Sequence, residues 1–192
     1  MTTPVARLAR PEELDHLATL CAAAFSDDAL TAWTHPDAES RPALVMAMFT
    51  TALSAAIEGG CAIVAAEAND VAVGASIWVD APMPGMGVAH DTRLPERLRS
   101  IQASTALVRP SVPHVYLPSM AVDRHRRGHG IGAIMLAEGN RRAAERNLPV
   151  YLEASSVDNR RFYARHGFID LGAPIVAGDG APPLWPMWRE SQ

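Results

Sequence analysis

The chain has 192 residues, 48% of them hydrophobic and 20% charged, with a formal net charge of −4. That length and balance fit one globular domain spanning 1–192, with a core that needs neither metal nor disulfide, and they exclude a disordered chain. The negative balance argues against general nucleic-acid binding, although Arg124, Arg126 and Arg127 make a local basic cluster.

The opening Met1-Thr2-Thr3-Pro4 lacks the apolar core of a secretory signal, and no apolar run nears membrane-spanning length. A soluble, cytoplasmic protein without membrane attachment is expected. Val5 to Ala9 reads as a strand. Pro11-Glu12-Glu13 then suits a first helical turn, and Leu14, Leu17, Leu20, Cys21 and Ala24 recur at helical spacing as far as Phe25. Ser26-Asp27-Asp28 can cap a short helix through Trp33, and Ala43 to Glu58 is a further helix closed by Gly59-Gly60. Cys61 to Glu67 and Val71 to Val79 look like strands paired around Asn69-Asp70. The two cysteines, Cys21 and Cys61, lie in apolar runs and are expected to be buried thiols, without a disulfide framework or metal site.

Ala81 to Val88 is rich in Pro and Gly, and Leu94 to Val108 suits an amphipathic helix. This 81–112 insertion is either a surface excursion or a lid over a pocket, and its place beside a regular scaffold favours the lid. His114 to Val122 is a strand with Pro118 at its middle; Pro cannot donate to the ladder, so a bulge or a splayed pair is expected there. A helix to about Arg146, a strand at Pro149 to Ser155 and a helix from Asp158 follow. Such a β-loop-α-β-α run implies two parallel strands in an otherwise mainly antiparallel sheet. Ile169 to Val176 and Leu184 to Trp188 suggest two last strands.

Between strand and helix lies Arg127-Gly128-His129-Gly130-Ile131-Gly132. Glycines allow a tight turn and a close backbone approach, and the amides at a helix start suit phosphate oxygens. An ATP-type loop needs Lys and Ser/Thr after its last glycine, whereas Ala133 follows here. A dinucleotide fingerprint fits Gly128, Gly130 and Ala133, with Glu153 about 20 residues on. In that fold, however, the glycines follow the strand directly, and here 123–127 intervenes. His125 and His129 straddle a glycine turn without a third ligand nearby, so no metal is expected.

Arg127-x-x-Gly130-x-Gly132 resembles the acetyl-CoA signature of the GNAT (Gcn5-related) N-acetyltransferases. His114 to Val122 and Pro149 to Ser155 resemble that family's fourth and fifth strands, and Asn159-x-x-Phe162-Tyr163 with Gly167-Phe168 its following helix. The matches are dense from Tyr116 to Phe168. Leu152-Glu153-Ala154-Ser155 with Asn159 and Phe162-Tyr163 is further similar to antibiotic-inactivating enzymes of the puromycin acetyltransferase type, over the cofactor half only. The resemblance implies an α/β (α+β) fold, with splayed fourth and fifth strands in a mixed sheet flanked by helices. It implies acetyl-CoA as cosubstrate, with pyrophosphate at Arg127, Gly128, His129, Gly130, Ile131, Gly132 and Ala133. Met120, Ala121 and Val122 would meet the pantetheine, and an amide of Met120 or Ala121 the thioester carbonyl. Asn159 would contact the cofactor arm, and Tyr163, on the same helix face, would protonate the departing thiolate. Phe162 is expected to pack inward.

Many relatives carry a carboxylate on the fourth strand, and His114 to Val122 has none. Glu153 therefore stands first as general base, directly or through water, ahead of Tyr116 and His114; it could equally be a structural acceptor. Trp33, Trp78, Tyr116, Trp185 and Trp188 could line an acceptor pocket or fill the core. The expected reaction moves acetyl to a small-molecule amine in a ternary complex. The alternatives are a protein or peptide acceptor and a non-catalytic acyl-CoA-binding module. The resemblance allows a homodimer, which the residues themselves do not decide.

Overall fold

The computed structural model describes residues 4–66, 70–81 and 95–191. In chain order it contains β1 (Val5–Leu8), a 3-10 turn (Pro11–Glu13) leading into α1 (Leu14–Phe25), α2 (Ala29–Thr34), α3 (Arg41–Glu58), β2 (Ala62–Ala66) and β3 (Ala72–Ala81). α4 (Glu96–Ala106), β4 (His114–Val122), α5 (Ile131–Glu145), β5 (Val150–Ala154), α6 (Val157–Arg165), β6 (Ile169–Asp170) and β7 (Trp185–Arg189) complete it. Residues 82–94, the first part of the insertion expected to form a lid, lie outside the described residues, and so does Leu94 of its expected helix.

One seven-stranded sheet has the order β1-β2-β3-β4-β5-β7-β6. Its pairs are antiparallel except β4 and β5, which run parallel because α5 carries the chain back across the sheet between them. Alternation along the strands feeds two cores. Ala62 and Val64 face α1 and α3, where Leu17, Val45, Phe49 and Leu53 are buried. Ile63 and Ala65 face the opposite side, with Met135 and Leu136 of α5 and Tyr163 of α6.

β4 breaks this alternation once, at the proline. Its register with β3 shifts, Ile77 facing Ser119 and Val79 facing Tyr116, so that Leu117 and Pro118 share the space opposite Trp78. One extra residue exchanges the faces of everything beyond it. Val115 and Leu117 point to the α5 core, whereas Ala121, of the same parity, belongs to the α1–α3 core. The bulge leaves Tyr116 on the α1–α3 side and sends Met120 and Val122 towards α5.

Among the described residues, β4 and β5 pair only at Val115–Val150 and Tyr116–Tyr151. β4 then continues to Val122 and β5 to Ala154 without further pairing, so the strands part. The splay expected at this place is present.

Some expectations need correction. The tail forms a shorter ladder than Ile169 to Val176 suggested: β6 has two residues, and beyond it only Ile175 bridges to Leu184. Gly172, at φ +88°, turns the chain away, and Pro174 offers no amide. The last strand starts at Trp185 rather than Leu184. α3 starts two residues before Ala43, because Pro42 is tolerated in a first helical turn. Cys21 is buried, and burial pushes its thiol up to about 12; Cys61 is only half-buried, since it follows the Gly59-Gly60 turn at the mouth of β2. No helix among the described residues is long and apolar enough to cross a membrane.

Gly139 of α5 presses against Trp78 of β3, and a Cβ built there would lie 2.0 Å from the indole. The ring cannot retreat easily, being buried and tied by Nε1 to Ser76 Oγ at 2.9 Å. Gly139→Ala should therefore lose stability by about 2 kcal/mol net, overpacking outweighing the gain in helix propensity of about 1 kcal/mol. Urea unfolding checks this; an unchanged or raised midpoint would contradict the packing.

Candidate active site

Where β4 and β5 part, a cleft of about 1840 Å³ opens through the sheet, walled by α2, α3, α4, the loop before α5, and α6. At one end lies the glycine loop. The chain leaves β4 through Asp123, whose carboxylate accepts from the His125 amide at 2.8 Å and fixes a 3-10 turn at Arg124–Arg126. Gly128 and Gly130 then take φ +80° and +79°, a region that favours glycine. The Ile134 amide donates to Gly130 O at 3.1 Å as the first helical bond of α5, so the amides of Ile131, Gly132 and Ala133 have no partner in the preceding turn.

The seven loop residues named from the sequence are placed unequally. Gly128, Gly130, Ile131, Gly132, Ala133 and Arg127 line the cleft, and His129 does not: its ring nitrogen folds back to Arg127 O at 2.9 Å. Ile131 contributes backbone, its side chain being buried in the core. Arg127 reaches across to Ala24 O at 3.4 Å, and Arg124 and Arg126 also border the cleft. The missing side chain of Gly132 faces Phe162 at 3.4 Å. Met120, Ala121 and Val122 line the seam itself.

α6 forms the facing wall. Ser156 caps it by accepting from the Asn159 amide at 3.1 Å. Asn159 and Tyr163, one turn apart, both line the cleft. The Asn159 side chain donates to Ser155 Oγ at 3.1 Å, and that hydroxyl approaches Asp28 Oδ1 at 3.5 Å. Asp28 also caps α2, accepting from Leu30 and Thr31 amides. Tyr163 is buried against Phe168, and burial pushes its phenol above the ordinary tyrosine value, so it stays protonated at neutral pH. Phe162, expected to pack inward, does pack against the α5-side core, but it is only half-buried and also borders the cleft, Tyr163 being the more deeply buried of the two.

Glu153 lies on the wall formed by β5, its side chain only 7% exposed. The Tyr116 hydroxyl donates to Glu153 Oε2 at 2.7 Å, and Arg109 pairs with Oε1 at 3.5 Å. The Arg109 guanidinium also sits over the Tyr116 ring, 4.4 Å from its centroid. Burial, and then the Glu153 charge, hold the Tyr116 phenol well above its ordinary value. His114 is buried outside the cleft lining, with Nδ1 at 2.7 Å from Val112 O, and burial lowers its pKa.

Of the five aromatics considered for an acceptor pocket, Tyr116 alone borders the cleft. Trp78 is core, Trp33 packs beneath Arg97 and donates to Asp179 O, Trp185 packs against the α5 core, and Trp188 donates to Glu190. Arg109, Asp28 and Ser155 were not foreseen. Ser155 and Asp28 lie 127 positions apart, and only the fold brings them together. Among the described residues, no group of three or more His, Cys, Asp or Glu could hold a metal ion.

The model of the acetyltransferase (GNAT) family matches residues 22–168. A crystal structure from Corynebacterium glutamicum, described as histone acetyltransferase HPA2 and related acetyltransferase, aligns with a TM-score of 0.73 at 27% identity, covering 99% of this chain and 97% of that one. The C-terminal condensation domain of Ebony, solved with beta-alanyl-dopamine, aligns with a TM-score of 0.79 at 16% identity, over 99% and 100% of the two chains. Arylalkylamine N-acetyltransferase 2 from Aedes aegypti gives 0.74 at 12%, over 98% and 99%. The last two are likenesses of fold alone.

Proposed function

Because the chain belongs to the acetyltransferase (GNAT) family and is an acetyl-CoA-dependent enzyme acting on an amine, we propose that its acceptor is the primary amine of a small molecule. The observation that carries this is the parted seam between β4 and β5, which meets the amide-rich loop at one end and Glu153 at the other. The cleft is also bordered by Met48, Phe49, Ile77, Val79, Leu98 and Ile101, with Thr31, Thr34, His35 and Gln102 among them, so an amine on a largely apolar body suits it. The names of two structural relatives, one solved with beta-alanyl-dopamine and one an arylalkylamine N-acetyltransferase, support an acceptor of that size. The name of the Corynebacterium relative points to a histone acceptor instead; α4, which walls the cleft, favours the smaller one. The puromycin-type likeness extends over the cofactor half and leaves the acceptor unspecified.

In this reading the amides and Arg127 of the 127–133 loop hold the pyrophosphate, with His129 contributing only backbone. Backbone groups of Met120, Ala121 and Val122 receive the pantetheine in the seam, and Asn159 steadies its arm. An amide of Met120 or Ala121 donates to the thioester carbonyl, where negative charge develops as the amine attacks. Glu153 removes a proton from the incoming ammonium, directly or through water, so that the nitrogen lone pair is available. Tyr163, kept protonated by burial, donates to the sulfur as the carbon–sulfur bond breaks, and the second proton that the nitrogen sheds on becoming an amide restores it, while Glu153 gives up the first to solvent. Attack is direct, within a ternary complex.

Incubation with acetyl-CoA and a panel of apolar primary amines should release free thiol at a rate set by the amine; release only with peptides would overturn the small-molecule assignment. Tyr163→Phe should lower kcat by about 100-fold while leaving acetyl-CoA affinity nearly unchanged. Equal losses in both, or none, would remove the proton-donor role. Gly130→Val places a β-branched residue at φ +79°, so calorimetry should find coenzyme A binding weakened at least about 10-fold, or about 1.4 kcal/mol. Unchanged affinity in the folded variant would contradict the pyrophosphate assignment.

A further inference from the structure

Arg109 has a place in the cleft that neither the glycine loop nor the proton donor accounts for. It follows α4, at the end of the insertion, yet its guanidinium covers the Tyr116 ring at 4.4 Å and pairs with Glu153 Oε1 at 3.5 Å. The Tyr116 hydroxyl holds the other carboxylate oxygen at 2.7 Å. Both oxygens of a nearly buried carboxylate are thus engaged, one by a cation and one by a neutral donor, and the cation also fixes the ring that bears the donor. Planar stacking over an aromatic ring combined with carboxylate pairing suits Arg and not Lys.

The backbone that carries Arg109 is secured on both sides. Its amide donates to Thr105 O at 3.1 Å, closing α4, and β4 begins at His114. α4 is itself tied down: Arg97 donates to Trp33 O at 2.8 Å and stacks on that indole at 5.2 Å, while Ser100 donates to Ala177 O. The insertion therefore delivers a fixed guanidinium to the acceptor end of the cleft.

We propose that Arg109 is a positioning residue, aligning the Glu153 carboxylate and Tyr116 for the approach of the acceptor amine. The inference rests on the reading of Glu153 as the base. With the pair formed, Glu153 presents a set face to the ammonium; without it, a carboxylate left with Tyr116 and the neighbouring Tyr151 phenol keeps no cation to fix its plane, and small misplacements cost large factors in rate. Arg109 exchanges no proton and forms no bond with substrate in this scheme.

The test is a double-mutant cycle in kcat, with thermal melting and coenzyme A binding measured on each variant. Arg109→Met keeps much of the length and apolar cover of the ring but loses the charge; it should lower kcat about 10-fold or more with coenzyme A affinity unchanged. In a Glu153→Gln background the same change should cost less than about 2-fold, because the carboxylate through which Arg109 acts is gone. Should Arg109→Met fold poorly, Arg109→Lys supplies the readout: charge without planar stacking should give a kcat between Met and wild type, again with little further loss in Glu153→Gln. Losses that multiply across the two positions would overturn the proposal and leave the base assignment standing. An unchanged kcat in Glu153→Gln would overturn both.

Discussion

β4 and β5 run side by side for two residue pairs and then separate, leaving β4 from Leu117 to Val122 without a strand on its β5 side among the described residues. A sheet interior leaves unpaired amides and carbonyls only where something else can satisfy them. The proline in β4 makes the parting local: its bulge against β3 preserves that ladder on both sides while turning the later part of β4 out of register. The same extra residue puts Tyr116 on the acceptor side and Met120 and Val122 on the α5 side. One residue of register thereby gives the seam, its two ends and the orientation of the groups around it.

The ends differ in chemistry as the reaction requires. Beside α5 the chain offers unpaired amides, two glycines at positive φ and arginines at the cleft border, a field suited to anionic oxygens. At the other end a nearly buried carboxylate lies beside Tyr116 and Arg109, in a part of the cleft bordered by apolar side chains such as Phe49 and Ile77 and by polar ones such as Thr31 and Gln102. Tyr163 belongs to the same cleft and is kept neutral by its burial. The two proposed proton carriers, Glu153 and Tyr163, thus sit in different surroundings, one beside a cation and one in an apolar wall.

Much of this was legible in the residues. Local signals carried it: two glycines before a helix, a proline inside an apolar strand, and Asn159 and Tyr163 one helical turn apart. What could not be read depended on contacts distant in sequence. Arg109 meets Glu153 across 44 positions from an irregular segment after α4, and no periodicity marks it. The expected aromatic pocket failed for a physical reason: indoles are large apolar groups, and Trp78 gains more by filling the space over Gly139 than by facing a cleft. Tyr163 is buried more deeply than Phe162 because α6 turns it inward against Phe168, while Phe162 packs against the core with one side left to the cleft.

Amide hydrogen exchange with and without coenzyme A tests the seam most directly, since it reads individual backbone groups. Binding should slow exchange at Ser119 to Val122 and again at Gly128 to Ala133, while the amides of α3 and of β1 keep their rates. Demonstrated binding with no added protection along β4 would place the cofactor elsewhere and contradict the account.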